Sequence, residues 1–327
     1  MRNVQFEELL TLEPETLHDL NPYGVIFLFK YPTGASAETK DKSRPLDGEF
    51  DYAALEPATF SNNNDEDEEK QPLWFAAQTI QNACGTQALL SILLNQNPNP
   101  TTSPESQTSN PFTLGPTLTD FRDFTTPLPA EYRGEALSNS SQIRDVHNSF
   151  ARSSPFISEE SRAAGEDDDV YHFVAYTSIN STLYELDGLQ PAPIRHGDEG
   201  ACPREIFAEA VVPVLRRRIE RYPVTEIRFN LLAVCEDLRL KARSVGDLEV
   251  LAREEGKRRE WRWENSLRRH NFVGFIGEVL KGVVRDRVRK GGYGKWVEDA
   301  QGITRRRGKE RRAMKGGSGG GEEMDIS

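Results

Sequence analysis

One cysteine stands where a nucleophile would be made. In the run Gln78-Thr79-Ile80-Gln81-Asn82-Ala83-Cys84-Gly85-Thr86-Gln87-Ala88, Asn82 reads as a helix N-cap, and the stretch from Ala83 to Leu94 is apolar and helix-compatible. Cys84 therefore falls in the first turn of a predicted helix. The partial positive charge there favours thiolate over thiol, and the thiolate is the form that attacks carbonyl carbon. Such a nucleophile needs a base and a donor for the oxyanion of the tetrahedral intermediate. Gln78 lies six residues upstream, ahead of the predicted helix, so its side-chain amide can serve as that donor beside the backbone N–H of Cys84. The competing reading is a small hydrophobe packed inside an apolar helix, the commoner fate of a lone cysteine.

The base must come from five histidines. His18, His147 and His270 sit in polar helical segments, and His196 in a loop with Pro and Gly nearby. His172 is different: Val170-Tyr171-His172-Phe173-Val174 reads as a strand, the first arm of a hairpin whose second arm is Thr182 to Asp187. If Ser178-Ile179-Asn180-Ser181 is a four-residue loop, Thr177 pairs with Thr182 and His172 falls opposite Asp187. Directly opposite Cβ atoms are about 4.5–5.5 Å apart, close enough for a carboxylate to fix the imidazole tautomer. An ordinary cross-strand polar pair is the alternative, and a one-residue slip would turn the two side chains to opposite faces.

These residues need a scaffold, and the rest of the chain supplies one. Val25-Ile26-Phe27-Leu28-Phe29 is a continuous apolar run between Pro22-Tyr23-Gly24 and Pro32-Thr33-Gly34, the pattern of a strand buried on both faces. A short helix is expected over 11–20, a mostly helical segment over 77–95, and further helices over 118–124 and 140–150. A late strand is expected at Phe229 to Val234. The mixed order suits an α/β or α+β core. Three polar stretches interrupt it. Residues 33–71, ending in Asp65-Glu66-Asp67-Glu68-Glu69, read as a flexible insert, 96–112 as a polar loop, and 153–169 as an acidic one. Beyond about 236 the composition turns to Arg, Lys and Glu. There Phe272, Phe275, Ile276, Val279, Leu280 and Val283 repeat at helical spacing, and Arg305 to Lys315 gives a basic tail.

Composition narrows the classes. A net charge of −11 argues against a nucleic-acid binder, and no apolar run is long enough to span a bilayer. Three cysteines, Cys84, Cys202 and Cys235, make no disulfide framework. The chain is expected in the cytoplasm and nucleus, without a cofactor or metal.

The text around these residues resembles the ubiquitin carboxyl-terminal hydrolase family of papain-like cysteine proteases. The matches are QTIQNACGTQA around Gln78 and Cys84, YHFVAY around His172, LYELDG around Asp187, and SNSSQIRDVHNSFAR over 138–152. The resemblance implies Cys84 as nucleophile, His172 as general base and proton donor, Asp187 as its orienter and Gln78 as oxyanion donor. It implies a central, mainly antiparallel sheet flanked by helices over 1–235. Residues 153–169 would be the crossover loop that threads the substrate tail, its acidity suiting the basic tail of ubiquitin. ENSLRRHNFVGFIGEVLK, residues 264–281, resembles the extension of the long, proteasome-associated members. That resemblance implies a helical extension over 236–300, a disordered basic and Gly-rich tail over 301–327, and two partners, ubiquitin and an adaptor of the proteasome regulatory particle.

Family members begin with a further segment, carrying a Trp and a Glu-Ser-Asp-Pro stretch, that adds a strand and ubiquitin contacts. Met1 of this sequence falls past that position. Two other readings follow: a catalytically impaired ubiquitin- or proteasome-binding module, and a general papain-like peptidase or acyltransferase. The four-residue set weighs against both.

Overall fold

A computed structural model describes residues 3–31, 44–55, 72–80, 82–96, 112–150, 170–224, 226–270 and 272–316. The strands are β1 (Val4–Glu8), β2 (Gly24–Lys30), β3 (Glu49–Phe50), β4 (Tyr171–Ile179), β5 (Thr182–Leu186), β6 (Ile194–His196) and β7 (Asn230–Glu236). They form one sheet in the order β1-β7-β2-β4-β5-β6-β3, and every ladder is antiparallel. The helices of this unit are α1 (Pro14–Leu20), α2 (Cys84–Leu94), α3 (Pro116–Thr125), α4 (Ala130–Asn139), α5 (Ser141–Asn148), α6 (Phe207–Ile219), α7 (Leu238–Val245) and α8 (Leu248–Arg269).

The sheet is apolar on both faces and so is covered twice. Along β2, Val25, Phe27 and Phe29 join Leu17, Phe207, Val211 and Leu215 in a core under α1 and α6. Ile26 points the other way, into a core with Ile92, Leu93, Trp74 and Leu137 under α2 and α4. The expected central strand is thus β2, flanked by β7 and β4.

Several expectations need correction. The helix foreseen over 77–95 begins only at Cys84; residues 72–79 are an extended strap outside any helix or sheet. The short helix expected over 11–20 starts at Pro14, whose fixed φ suits a first turn. The insert over 33–71 is in part structured: Glu49–Phe50 pairs with β6 at the sheet edge, and Ala53–Leu55 is a 3₁₀ turn. Residues 33–43 and 56–71 of that insert, 97–111 of the second polar stretch and all of 153–169 lie outside the described residues. His196 is not in a loop; it ends β6 and is buried. Strand β1 and helices α4 and α6 were not anticipated.

Helix α8, drawn from the charge-rich sequence beyond 236, packs on the sheet. Its Glu254 is buried against Gln5 of β1 (3.2 Å), Lys257 reaches Glu7 (3.0 Å) and Arg258 reaches Asp237 (3.0 Å). These contacts cap the exposed edge of the sheet.

A second unit holds α9 (Val273–Arg289) and α10 (Tyr293–Gly316). Gly291 takes a left-handed φ of 68° in the turn between them. Residues 301–316, expected as a disordered tail, continue α10; residues beyond 316 lie outside the described set. Phe275, Ile276, Val279, Leu280 and Val283 on α9 are exposed. Among the described residues, no helix is long and apolar enough to cross a membrane.

Candidate active site

Cys84 is the first residue of α2 and is half-buried. The N-cap is Ala83, not Asn82, and no side chain caps the helix. The first-turn N–H groups, which have no intrahelical carbonyl, are therefore left to other acceptors. One of them, the N–H of Gly85, bonds the Cys84 sulfur, as does the N–H of Phe173 on β4. His172 of the same strand also hydrogen-bonds Cys84. Burial alone would push the thiol up, but His172 and the two N–H groups outweigh it and bring the Cys84 thiol below its ordinary value. Burial would likewise push the imidazole of His172 down. Asp187 and the Cys84 sulfur outweigh that, and His172 is held up to about 9. Each group thus favours the charged form of the other, a thiolate beside an imidazolium.

His172 Nε2 lies 2.7 Å from Asp187 Oδ1, and both side chains are almost fully buried. With Nε2 committed to the carboxylate, the bond to Cys84 falls to Nδ1. The ring is held edge-on by Phe29 at 5.8 Å and Tyr31 at 5.3 Å. Asp187 is fixed in turn by the N–H of Leu189 at 3.0 Å and by Gln190 Nε2 at 3.4 Å.

The pair forms in a different register from the one expected. Asn180 and Ser181 both take positive φ, 49° and 57°, and make a two-residue turn, so Ile179 pairs with Thr182. The last ladder pair is Ala175 with Leu186. Asp187 falls one step beyond it, level with Val174, and His172 reaches it diagonally. The slip is by an even number of residues, so both side chains keep the same face.

Gln78 sits on the strap. Its backbone N–H bonds the carbonyl of Gly188 at 2.8 Å, next to Asp187. Its side-chain Nε2 donates to the carbonyl of Ile80 at 3.0 Å, which orients an amide carrying two N–H donors. The strap has no ladder, so side chains satisfy its backbone. Asn95 takes the N–H of Trp74 (2.7 Å) and bonds its carbonyl (2.8 Å). The buried Arg133 guanidinium donates to the carbonyls of Leu73 (3.1 Å) and Phe75 (3.2 Å), and Gln87 donates to that of Ala76 (2.5 Å).

Three nearby features escaped the sequence reading. Gln87 looked like an ordinary helix residue, and Arg133 lay in a segment given no element. His147 on α5 bonds Thr86 Oγ1 at 2.8 Å, two residues past the nucleophile. Behind Asp187, Glu185 of β5 is bonded by Arg218 of α6, by Tyr176 Oη at 3.0 Å and by His196 Nε2 at 3.2 Å. A groove of about 830 Å³ runs between α2, α3 and α5, with walls that include Leu89, Leu93, Leu118 and Val146. Its lining includes Gly85 and Thr86 but none of Cys84, His172 or Asp187.

A thiolate at a helix start, an imidazole between it and a buried carboxylate, and an amide on a fixed strap together make a cysteine hydrolase site. Comparison with known proteins narrows the class. The family profile described as "Ubiquitin carboxyl-terminal hydrolase, family 1" matches residues 1–220, and "Ubiquitin carboxyl-terminal hydrolases" matches residues 246–287. "Ubiquitin carboxyl-terminal hydrolase 2" of Schizosaccharomyces pombe is 43% identical over 308 residues, covering 92% of this chain and 90% of the relative. "Ubiquitin carboxyl-terminal hydrolase isozyme L5" of Dictyostelium discoideum is 29% identical over 337 residues, covering 86% and 85%. Among solved structures, the Trichinella spiralis UCH37 catalytic domain bound to ubiquitin vinyl methyl ester is similar. It has a TM-score of 0.52 and 32% identity, covering 72% of this chain and 87% of that one. This chain belongs to the ubiquitin carboxyl-terminal hydrolase family and is a cysteine-type ubiquitin hydrolase.

Proposed function

We propose that Cys84, His172, Asp187 and Gln78 carry out the cleavage of the bond after the C-terminal glycine of ubiquitin. The single observation behind this assignment is the placement of His172 between the Cys84 sulfur and the Asp187 carboxylate. The Cys84 thiolate attacks the glycine carbonyl carbon. The resulting oxyanion is met by the Gln78 amide and the Cys84 N–H. The His172 imidazolium gives its proton to the leaving amine as the C–N bond breaks, leaving a thioester on Cys84. Water then attacks the thioester carbonyl, His172 takes its proton, and Cys84 leaves as thiolate with the ubiquitin carboxylate released. Asp187 keeps the ring oriented throughout. Turnover of a ubiquitin C-terminal fluorophore amide tests this: activity lost in Cys84→Ala and in His172→Ala supports it, and residual wild-type turnover in either sinks it.

We infer also that α9 docks an adaptor of the proteasome regulatory particle. An exposed row of Phe275, Ile276, Val279, Leu280 and Val283 supports this, since such a continuous apolar face marks an interaction surface. The second family profile covers most of this helix. Capture of the purified adaptor by wild type but not by Phe275→Glu/Val279→Glu is the expected result; equal capture by both would count against it. We infer that the protein works in the cytoplasm and nucleus. Free Cys84, Cys202 and Cys235 support that reading.

A further inference from the structure

Gln87 lies one helical turn after Cys84, and its N–H bonds the Ala83 carbonyl at 2.8 Å. Its side chain is buried. The amide does two things. Its Nε2 donates to the Ala76 carbonyl, two residues from Gln78. It also fills the space over Gly188: a Cβ built on Gly188 would stand 2.1 Å from Gln87 Nε2 and 3.0 Å from Gln78 Cβ. Gly188 in turn receives the Gln78 N–H. The Cys84 helix, the Gln78 strap and the turn after Asp187 therefore meet at this one amide.

The strap has other anchors. Beside Gln78, the Ala77 N–H bonds the Ala130 carbonyl at 2.9 Å and Thr79 Oγ1 donates to the Gly134 carbonyl at 3.2 Å, both on α4. Asn95 ties it to the far end of α2 at Trp74, and Arg133 holds Leu73 and Phe75. Gln87 ties it to the near end, where the nucleophile is. We propose that Gln87 is a positioning residue that sets the distance between Gln78 and Cys84, with Gly188 as the bare surface that lets the amide in. The proposal rests on the role given to Gln78 above. It requires a side chain that is long, polar and a donor at position 87, and no side chain at position 188. It assigns Gln87 no contact with substrate.

The test uses the full chain and a ubiquitin C-terminal fluorophore amide. Gln87→Met keeps the shape and removes the donor. Its kcat is expected to fall by roughly ten- to a hundredfold, the scale of misplacing a catalytic group by about an ångström, with KM within about twofold. The pH dependence of Cys84 alkylation by iodoacetamide should stay as in wild type, because His172, Asp187 and the N–H groups of Gly85 and Phe173 are untouched. In a Gln78→Ala background, Gln87→Met should cost nothing further. Gly188→Ala, which presses on the amide from the other side, should reproduce the kcat loss. An unchanged kcat in Gln87→Met, losses that multiply in the double variant, or a shifted alkylation profile would each overturn the proposal. So would loss of the cooperative thermal transition in both Gln87→Met and Gly188→Ala, which would make the residue purely structural. An inactive wild type counts against the function itself; an active wild type with an indifferent Gln87→Met counts against this inference alone.

Discussion

Replacing Asp187 by Asn keeps the shape of the group beside His172 and removes its charge. The imidazolium of His172 is held up to about 9 against an ordinary 6.5. At about 1.4 kcal/mol per tenfold, that difference is about 3 kcal/mol in favour of the protonated ring. Asp187, 2.7 Å away, and the Cys84 sulfur supply that difference and also overcome burial, which pushes the ring down. With the carboxylate supplying about half, Asp187→Asn lowers the ring by at least about one pH unit. The raised value stabilises the charged ring fully below 6.5, and the effect is lost as pH rises through about 9. The alkaline limb of the kcat/KM profile should therefore move down by at least about one unit in Asp187→Asn. The acid limb, set by Cys84 beside a ring that is still protonated, should stay nearly in place. The assay is turnover of a ubiquitin fluorophore amide from pH 5 to 10. At the wild-type optimum the variant should lose roughly tenfold or more, since the amide also misorients the ring. An alkaline limb that does not move would refute the electrostatic role given to Asp187.

Two further predictions concern the frame of the site. Glu185 is buried; the Arg218 guanidinium and His196 outweigh its burial and hold its carboxyl down at about 2, against an ordinary 4.5. Its contribution is therefore complete above 4.5 and lost as pH falls through 2. Glu185→Gln leaves Arg218 buried without its counter-charge and should cost about 3 kcal/mol at pH 7 by urea unfolding. That gap should narrow at pH 3, and a gap independent of pH would contradict the pairing. In Gly134→Ala, the new Cβ would stand 2.0 Å from the Ala77 carbonyl oxygen, so α4 and the strap must part. A Tm lower by roughly 5 °C is expected, with reduced kcat; wild-type values for both would show that the strap is not held there.

The parts of the site that were legible in the sequence are those set by local rules. Cys84 at a helix start follows from the apolar run after Ala83, and β2 from an unbroken apolar stretch. His172 and Asp187 were brought to one face by strand alternation alone, which survived the misjudged turn because Asn180 and Ser181 shifted the pairing by an even step. What was not legible depends on tertiary partners. Residues 77–79 were read as the start of a helix, yet they belong to a strap over 72–79 whose backbone is satisfied from outside by Asn95, Arg133 and Gln87. No periodicity announces such a strap. Glu254, embedded in a run of charges, reads as solvated until β1 is placed against it. The two-residue strand β3 owes its existence to the edge offered by β6 rather than to its own sequence. The basic stretch at the end of the chain has a tail-like composition, and its helix extends from the turn at Gly291.

The central claim is that Cys84, and neither Cys202 nor Cys235, is the nucleophile. The most direct measurement is labelling of the full chain with ubiquitin vinyl methyl ester, followed by mass spectrometry of the linked peptide. Cys84 is lowered by His172 and half-exposed, whereas Cys202 and Cys235 are buried and raised above their ordinary values. One ubiquitin per chain, attached at Cys84 and absent in Cys84→Ala, is the predicted result. A label on Cys202 or Cys235, or one that persists in Cys84→Ala, would contradict it.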